Sequence, residues 1–354
     1  MGLTRQQALD YFNSPDLIGL GFEADAVRRR LHPEGVVSYI IDRNINYTNF
    51  CTEYCTFCAF YRPLPKNGKS DPLSAEGYIL DFEKIYEKIA ETVEMGGTGV
   101  LMQGGIHPDL KIDWFERLFT GIKQRFPQIW LHCLSASEVL AIAEYSDLNL
   151  RDTIARLRDA GLDSIPGGGA EIFNEKIRKK ICPEKATSEQ WLNVHKAAHK
   201  CGIFSNATML YGHVEKFEDR VDHLNRLRGL QDETGKFNAF IPLKFRNLNN
   251  ELSELKETTL IEDMRNYAIS RIFLDNFPHI KAYWPMLGKQ QAQIALSFGV
   301  DDIDGTINDS TSIYTAAGVD EPALTVEELC GLIISAGYIP AERYSDYSLV
   351  KQKS

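Results

Sequence analysis

Three cysteines define the chemistry this chain can do. They stand in the run Asn49-Phe50-Cys51-Thr52-Glu53-Tyr54-Cys55-Thr56-Phe57-Cys58-Ala59-Phe60-Tyr61, a C-x3-C-x2-C spacing. A [4Fe-4S] cluster held by cysteine normally takes four thiolates, and a structural zinc site also closes with four ligands. The segment supplies neither a fourth cysteine nor a nearby histidine. Three thiolates would leave one iron of a cluster open to another ligand. Three buried cysteines in an ordinary core, or a partial zinc site, are the competing readings. Neither gives a packing reason for three cysteines this close together and followed by aromatic residues.

Such a loop needs a scaffold. Apolar or β-rich runs alternate with amphipathic helical stretches, the pattern of a parallel sheet with crossover helices. Eight runs are found, at 36–45, 99–103, 129–134, 164–166, 204–210, 239–245, 280–284 and, most weakly, 300–303. Helical stretches at 85–95, 114–126, 150–160, 188–200, 216–232 and 260–276 lie between them. The repeat predicts an α/β fold, a (β/α)8 TIM-type barrel, with sites at the C-terminal ends of the strands. A six-repeat open barrel is the alternative, because the eighth run is poor. Residues 1–35 read as an N-terminal helical cap over the barrel bottom, 36–310 as the barrel, and 311–354 as a C-terminal extension packed on it, with a short helix after Leu324. Residues 63–74, with three prolines and Lys66-Asn67-Gly68-Lys69-Ser70, read as a loop next to the cysteines.

Composition narrows the partners. The chain has 354 residues, 44% hydrophobic and 25% charged, enough for a large core. A formal net charge of -10 argues against nucleic acid and for a small-molecule substrate. No apolar run is long enough to span a bilayer, and Met1-Gly2-Leu3-Thr4-Arg5-Gln6-Gln7 has no signal-peptide core. A cytoplasmic location is expected. Cys133, Cys182, Cys201 and Cys330 are scattered and fit free thiols in a reducing compartment.

The cysteine spacing, with Phe57 just before the third cysteine, resembles the signature of the radical S-adenosylmethionine (SAM) enzymes. In that superfamily the open iron chelates SAM, and an electron from an external donor such as flavodoxin or ferredoxin cleaves it to a 5'-deoxyadenosyl radical. The resemblance implies a [4Fe-4S] cluster on Cys51, Cys55 and Cys58 with SAM beside it. It also gives meaning to the strand ends. Gln103-Gly104-Gly105-Ile106-His107-Pro108-Asp109 follows the second strand, and its glycines would let the backbone approach the methionine end of SAM. Pro166-Gly167-Gly168-Gly169-Ala170-Glu171 follows the fourth, where Glu171 could accept from a ribose hydroxyl or serve as a helix N-terminal carboxylate. Phe57 and Ser135 complete the implied cofactor set.

Strand five leads into Asn206-Ala207-Thr208-Met209-Leu210-Tyr211-Gly212-His213-Val214-Glu215 and strand seven into Lys281-Ala282-Tyr283-Trp284-Pro285-Met286-Leu287-Gly288. Polar residues there read as site-lining, with Asn206, Tyr211 and Trp284 facing substrate. His213 could donate to a carboxylate or move a proton. Lys244 and Arg246 offer positive charge to an anionic substrate. His195 and His199, at i and i+4, read as a solvated helix face rather than a metal pair, since no third ligand accompanies them.

Nearly the whole chain resembles the radical SAM enzymes of the futalosine route to menaquinone, and the resemblance divides. Ser38-Tyr39-Ile40-Ile41-Asp42-Arg43-Asn44-Ile45-Asn46-Tyr47-Thr48-Asn49, Met102-Gln103-Gly104-Gly105 and Trp130-Leu131-His132-Cys133-Leu134-Ser135 look like cyclic dehypoxanthinyl futalosine synthase. From about residue 173 the match is closer to aminofutalosine synthase, through 206–213, Ile241-Pro242-Leu243-Lys244-Phe245, 279–288 and Asp301-Asp302-Ile303-Asp304-Gly305-Thr306. Where the cyclase carries an acidic pair, this chain has Asn308-Asp309-Ser310. A mosaic lineage and a constructed chimera explain the split equally. The resemblance implies a synthase that adds the adenosyl radical to an aromatic carboxylate, 3-[(1-carboxyvinyl)oxy]benzoate, with Asp304 beside His213 as a catalytic candidate. The cyclase is the alternative, and a non-catalytic iron-sulfur electron carrier a remote one.

Overall fold

The computed structural model describes residues 3–65, 73–306, 313–318 and 323–350. The run at 36–45 forms two strands, β1 (Val36–Tyr39) and β2 (Asp42–Ile45). Then come β3 (Gly99–Met102), β4 (Trp130–Cys133), β5 (Ser164–Ile165), β6 (Phe204–Tyr211), β7 (Phe237–Lys244), β8 (His279–Ala282), β9 (Asp302–Ile303) and β10 (Ile339–Glu342). All neighbours pair in parallel, in the order β10-β1-β9-β8-β7-β6-β5-β4-β3-β2. Since β1 and β2 are halves of one bent strand, this order returns on itself. The lower half pairs with β9 through Ser38 and Asp302, and the upper half pairs with β3 from Asp42 and Gly99 onward. The bend has a local cause. Thr306 N–H donates to the Ile40 carbonyl at 3.1 Å while Thr98 N–H donates to Ile41 at 3.1 Å, so adjacent carbonyls serve opposite neighbours. The closed (β/α)8 barrel is what the strand count required, with the weak eighth run present as the two-residue β9.

The crossover helices follow their apolar period. The Ile112–Arg125 helix buries Ile112, Phe115, Leu118, Phe119 and Ile122, a stripe at i, i+3 and i+4 that faces the sheet. Gly161, at φ 124°, ends the Leu150–Ala160 helix in a conformation glycine tolerates best.

Both ends of the chain pack on the barrel. The Arg5–Asn13 and Leu17–Leu31 helices pack on the barrel's flank, over the Phe217–Thr234 and Leu260–Phe273 helices. Phe12 stacks on Phe217 at 4.6 Å, and Arg265 donates to the Tyr11 carbonyl at 2.9 Å. The foot of the barrel is crossed by the residues after β10, and His32, at the end of the second helix, reaches it 3.1 Å from Asp301. Arg343 binds both oxygens of Asp302, at 2.5 and 2.9 Å, and Tyr347 stacks on His279 at 4.1 Å. Asp302, which also accepts from Ser38 Oγ at 2.6 Å, is the buried carboxylate that pairs with the buried Arg343. The short C-terminal helix is Val326–Ser335. The segment 66–70 and Asn308-Asp309-Ser310 lie outside the described residues.

Candidate active site

β2 delivers the chain to the barrel mouth, where the cysteine loop is tied down along its length. Cys51 N–H donates to the Arg62 carbonyl at 3.0 Å, Thr52 to Ile106 at 3.1 Å, Thr56 to Ile181 at 2.8 Å and Cys58 back to Cys55 at 3.0 Å. The loop rests on the two glycines after β3. A β-carbon on Gly105 would stand 2.1 Å from the Phe50 carbonyl oxygen and 2.9 Å from Cys51 Cβ. One on Gly104 would meet the Tyr47 ring at 2.7 Å. Beneath them the buried Glu138 accepts from Tyr47 Oη at 2.6 Å, Gly104 N–H at 3.0 Å and Ser135 N–H at 2.6 Å. Ser135 Oγ accepts from Glu138 N–H, completing a helix capping box. The loop is thus seated on backbone and a satisfied polar network.

One cation lies among the sulfurs and the carboxylates around them. Burial, with Glu53 next, pushes the Cys51 thiol up to about 11, and burial raises Cys55 and Cys58 as well. Holding them as thiolates therefore needs positive charge. Lys185 provides it, with Nζ 3.8 Å from Cys55 Sγ, 2.9 Å from Glu171 and 3.5 Å from Glu53. Three thiolates on one loop at the barrel mouth, with an ammonium beside them, fit an iron-sulfur cluster. Cys182 comes within electrostatic reach of Cys55 but is fully buried. The group of ligating atoms found within 4.8 Å among the described residues is His32, His279 and Asp301, at the barrel's foot. It is a hydrogen-bonded triad: His279 Nδ1 and Asp301 stand 2.5 Å apart, whereas ligands of tetrahedral zinc stand ~3.3 Å apart.

From Cys58 a cavity of about 280 Å³ runs into the barrel. Phe57, Cys58, Gln103 and Glu171 line its cluster side. Leu210, Ile241, Leu243, Phe245 and Met286 make an apolar far wall that ends at Arg246, and Asp42, His132, Asn206, Lys281 and Asp304 make a polar floor. Lys281 sits 2.8 Å from Asp304 and 3.8 Å from Asp302. Burial disfavours its charge, but Asp304, Tyr347 and Asp302 outweigh that and raise its pKa. Burial, reinforced by Lys281 and Arg343, lowers His132 to about 3 and keeps it neutral. Its ring nitrogens meet Ser164 Oγ at 2.6 Å and the Asn206 amide at 3.1 Å.

Comparison with known proteins matches the Radical SAM superfamily model at residues 45–227 and the CofH/MqnC C-terminal region at 233–354. The chain belongs to the radical SAM superfamily. It is 41% identical over 349 residues to cyclic dehypoxanthine futalosine synthase of Halalkalibacterium halodurans, covering 99% of this chain and 92% of that protein. It is 39% identical over 354 residues to aminodeoxyfutalosine synthase of Thermus thermophilus, again covering 99% and 92%. A 5-amino-6-(D-ribitylamino)uracil--L-tyrosine 4-hydroxyphenyl transferase of Methanosarcina mazei is 38% identical, covering 90% and 84%. Among solved structures, methylornithine synthase (PylB) superposes with a TM-score of 0.75 at 14% identity, covering 96% of this chain and 95% of that one, which shows the fold alone. The family read from the cysteine spacing is therefore the right one, and this radical SAM protein is an enzyme. No helix among the described residues is long and apolar enough to cross a membrane.

In the radical SAM barrel the residues chosen from sequence fall into two sets. Phe57, Cys58, Gln103, Glu171, Asn206, Arg246 and Asp304 converge on the cavity. Tyr211, Lys244, His213 and Trp284 do not. Side chains alternate along a strand, and Asn206, Thr208 and Leu210 point inward from β6, so Tyr211 points outward. On β7, Ile241, Leu243 and Phe245 face the cavity, and Lys244 faces the helices. There Asp263 takes Tyr211 Oη at 3.0 Å and Lys244 Nζ at 2.8 Å, so both are buried in a structural network. His213 is closed into a turn, with Nε2 3.2 Å from the Leu210 carbonyl and Nδ1 3.2 Å from Glu215. Trp284 donates to the Gly305 carbonyl at 2.9 Å, leaving Tyr283 and Met286 on the cavity. Gly104, Gly105 and Ser135 support the loop from below. His195 and His199 are buried and both meet Ser205 Oγ at 2.8 Å, which corrects the solvated reading. Sequence reasoning did not choose Asp42, His132, Lys185 or Lys281. For Lys281 and His132 the inward parity of β8 and β4 was the available signal. Lys185, in the turn after a helix, gave none.

Proposed function

We propose that this enzyme is an aminofutalosine synthase, joining the adenosyl part of SAM to 3-[(1-carboxyvinyl)oxy]benzoate. A [4Fe-4S] cluster on Cys51, Cys55 and Cys58, with SAM on its open iron and a flavodoxin or ferredoxin as electron donor, would supply the radical. The chain's own residues have positioning tasks. Phe57, Gln103 and Glu171 flank the space beside Cys58 and would hold the adenosyl portion. The apolar wall of Leu210, Ile241, Leu243, Phe245 and Met286 suits an aromatic ring and excludes water. Arg246 closes that wall, 3.2 Å from Glu257 and 3.5 Å from the Met286 carbonyl, and would take the benzoate carboxylate. The Lys281–Asp304 pair below would meet the second carboxylate or orient the vinyl ether. A cation at the end of an apolar wall is the observation that carries this reading.

The second reading is the futalosine cyclase. It is favoured by the 41% identity to the Halalkalibacterium protein and by the Asp42, Asn44, Asn46 and Asn206 side chains on the cavity, which suit a ribose. Reconstituted, reduced protein given SAM with each substrate decides between them by product mass. An adenosyl adduct of the vinyl ether supports the synthase. Free 5'-deoxyadenosine with a cyclised product, and no adduct, replaces it with the cyclase.

A further inference from the structure

The buried Lys185 has no part in the substrate side of the cavity, and its surroundings give it another task. Its side chain is 13% exposed and lies between the cysteine loop and Glu171. Nζ donates toward Cys55 Sγ at 3.8 Å, within the range of a hydrogen bond to sulfur, and sits 5.7 Å from the Phe57 ring centroid. Two carboxylates fix it there, Glu171 at 2.9 Å and Glu53 at 3.5 Å, and its backbone N–H is held by the Cys182 carbonyl at 3.1 Å. A flexible side chain held from three directions against one sulfur acts as a fixed charge.

We propose that Lys185 is a positioning residue for the cluster's electron. Its N–H···S hydrogen bond to Cys55 and its charge stabilise the reduced cluster and raise the reduction potential. This rests on the reading that the three cysteines hold a [4Fe-4S] cluster. Reduction takes one electron from a low-potential one-electron donor and converts the 2+ core to 1+, adding one negative charge with no bond made or broken. A cation beside a ligating sulfur favours the more negative state, and hydrogen bonds to cluster sulfurs act in the same direction. Glu53 and Glu171 oppose the effect in part, but their main contribution is to keep the ammonium from swinging into solvent. No other described lysine or arginine donates to Cys51, Cys55 or Cys58, so the effect belongs to one side chain.

The test is a potentiometric titration of the reconstituted protein without SAM, followed by the EPR signal of the reduced cluster, alongside iron and sulfide content. Lys185→Met should keep its iron and lower the midpoint by about 59 mV or more, a tenfold change for one electron. Lys185→Arg should restore most of the shift. A Met variant with full iron and an unchanged midpoint overturns the proposal, as does an Arg variant shifted as far as Met. Should Lys185→Met fail to load, pulsed EPR of the reduced wild-type protein carrying 15N-lysine decides. A nitrogen hyperfine coupling is expected, and its absence overturns the hydrogen bond. Wild-type protein without iron would instead sink the cluster reading itself.

Discussion

The two walls of the barrel mouth are built on different principles. On the cluster side, glycines set the surface: Gly105 against the Phe50 carbonyl and Cys51 Cβ, Gly104 against the Tyr47 ring, and Glu138 satisfying three donors below. A β-carbon on either glycine has no room there. On the far side, single side chains from two eight-residue strands form the surface, Leu210 from β6 and Ile241 and Leu243 from β7, with Arg246 just beyond. Such a wall can change its lining without moving the strands. The structure therefore separates a tightly packed half, against the three cysteines, from a half lined by exchangeable side chains. The paired relatives with different named products, at 41% and 39% identity, suit such a division.

The sharpest way to break the comparison is at the cysteines. Changing Cys51, Cys55 or Cys58 to Ala should abolish cluster binding and all SAM cleavage, whereas Cys182→Ser should leave iron content unchanged, as metal analysis of the reconstituted proteins would show. The glycine seat comes next. The glycines were expected to let the backbone approach SAM, and a β-carbon on Gly105 strikes the Phe50 backbone. The Gly105→Val variant should lose most of its iron while circular dichroism still reports the barrel, and full iron with weakened SAM binding would restore the earlier view.

A paired substitution tests the far wall. Lys244→Met leaves Asp263 buried without its cation and should destabilise the fold by ~3 kcal/mol, with substrate affinity per folded molecule unchanged. Arg246→Ala should do the reverse, weakening substrate binding by ~2 kcal/mol at nearly constant stability. Denaturant unfolding and equilibrium binding read the two effects separately, and a loss of affinity in the Lys244 variant would move the wall's active row.

The effect in the floor shows only below neutral pH. Native His132 protonates only near pH 3, and the unfolded chain does so near ~6.5. Its contribution is full above about pH 6.5 and is lost as pH falls toward 3, because only the unfolded state takes up the proton. His132→Asn should flatten the acid side of the stability curve by at most ~1.4 kcal/mol per pH unit. An unchanged slope would mean that the imidazole is hydrated.

How much of this was legible depended on range. The cysteine loop was readable because its ligands are separated by two and three residues, and the barrel because its alternation of strand and helix is local. Glu171, Asn206, Arg246 and Asp304 were found because they sit on inward-facing or strand-end positions. Tyr211 and Lys244 were misplaced because the resemblance marks strings of residues, while a strand shows only every second one to the cavity. β10 and the foot-crossing Arg343 were missed because their partners, β1 and Asp302, lie far off in sequence. Lys185 was missed for the same reason, its role being made entirely by Cys55, Glu53 and Glu171.

The bend between β1 and β2 also orders the making of the molecule. Val36 pairs with Ile339, and Ser38 with Asp302, so the strand that feeds the cysteine loop finds its lower neighbours only when almost all of the chain is present. Contacts of such sequence separation form late. A chain that ended before β9 would leave β1 without either neighbour, so the ring shuts through the same strand that leads into Cys51, Cys55 and Cys58.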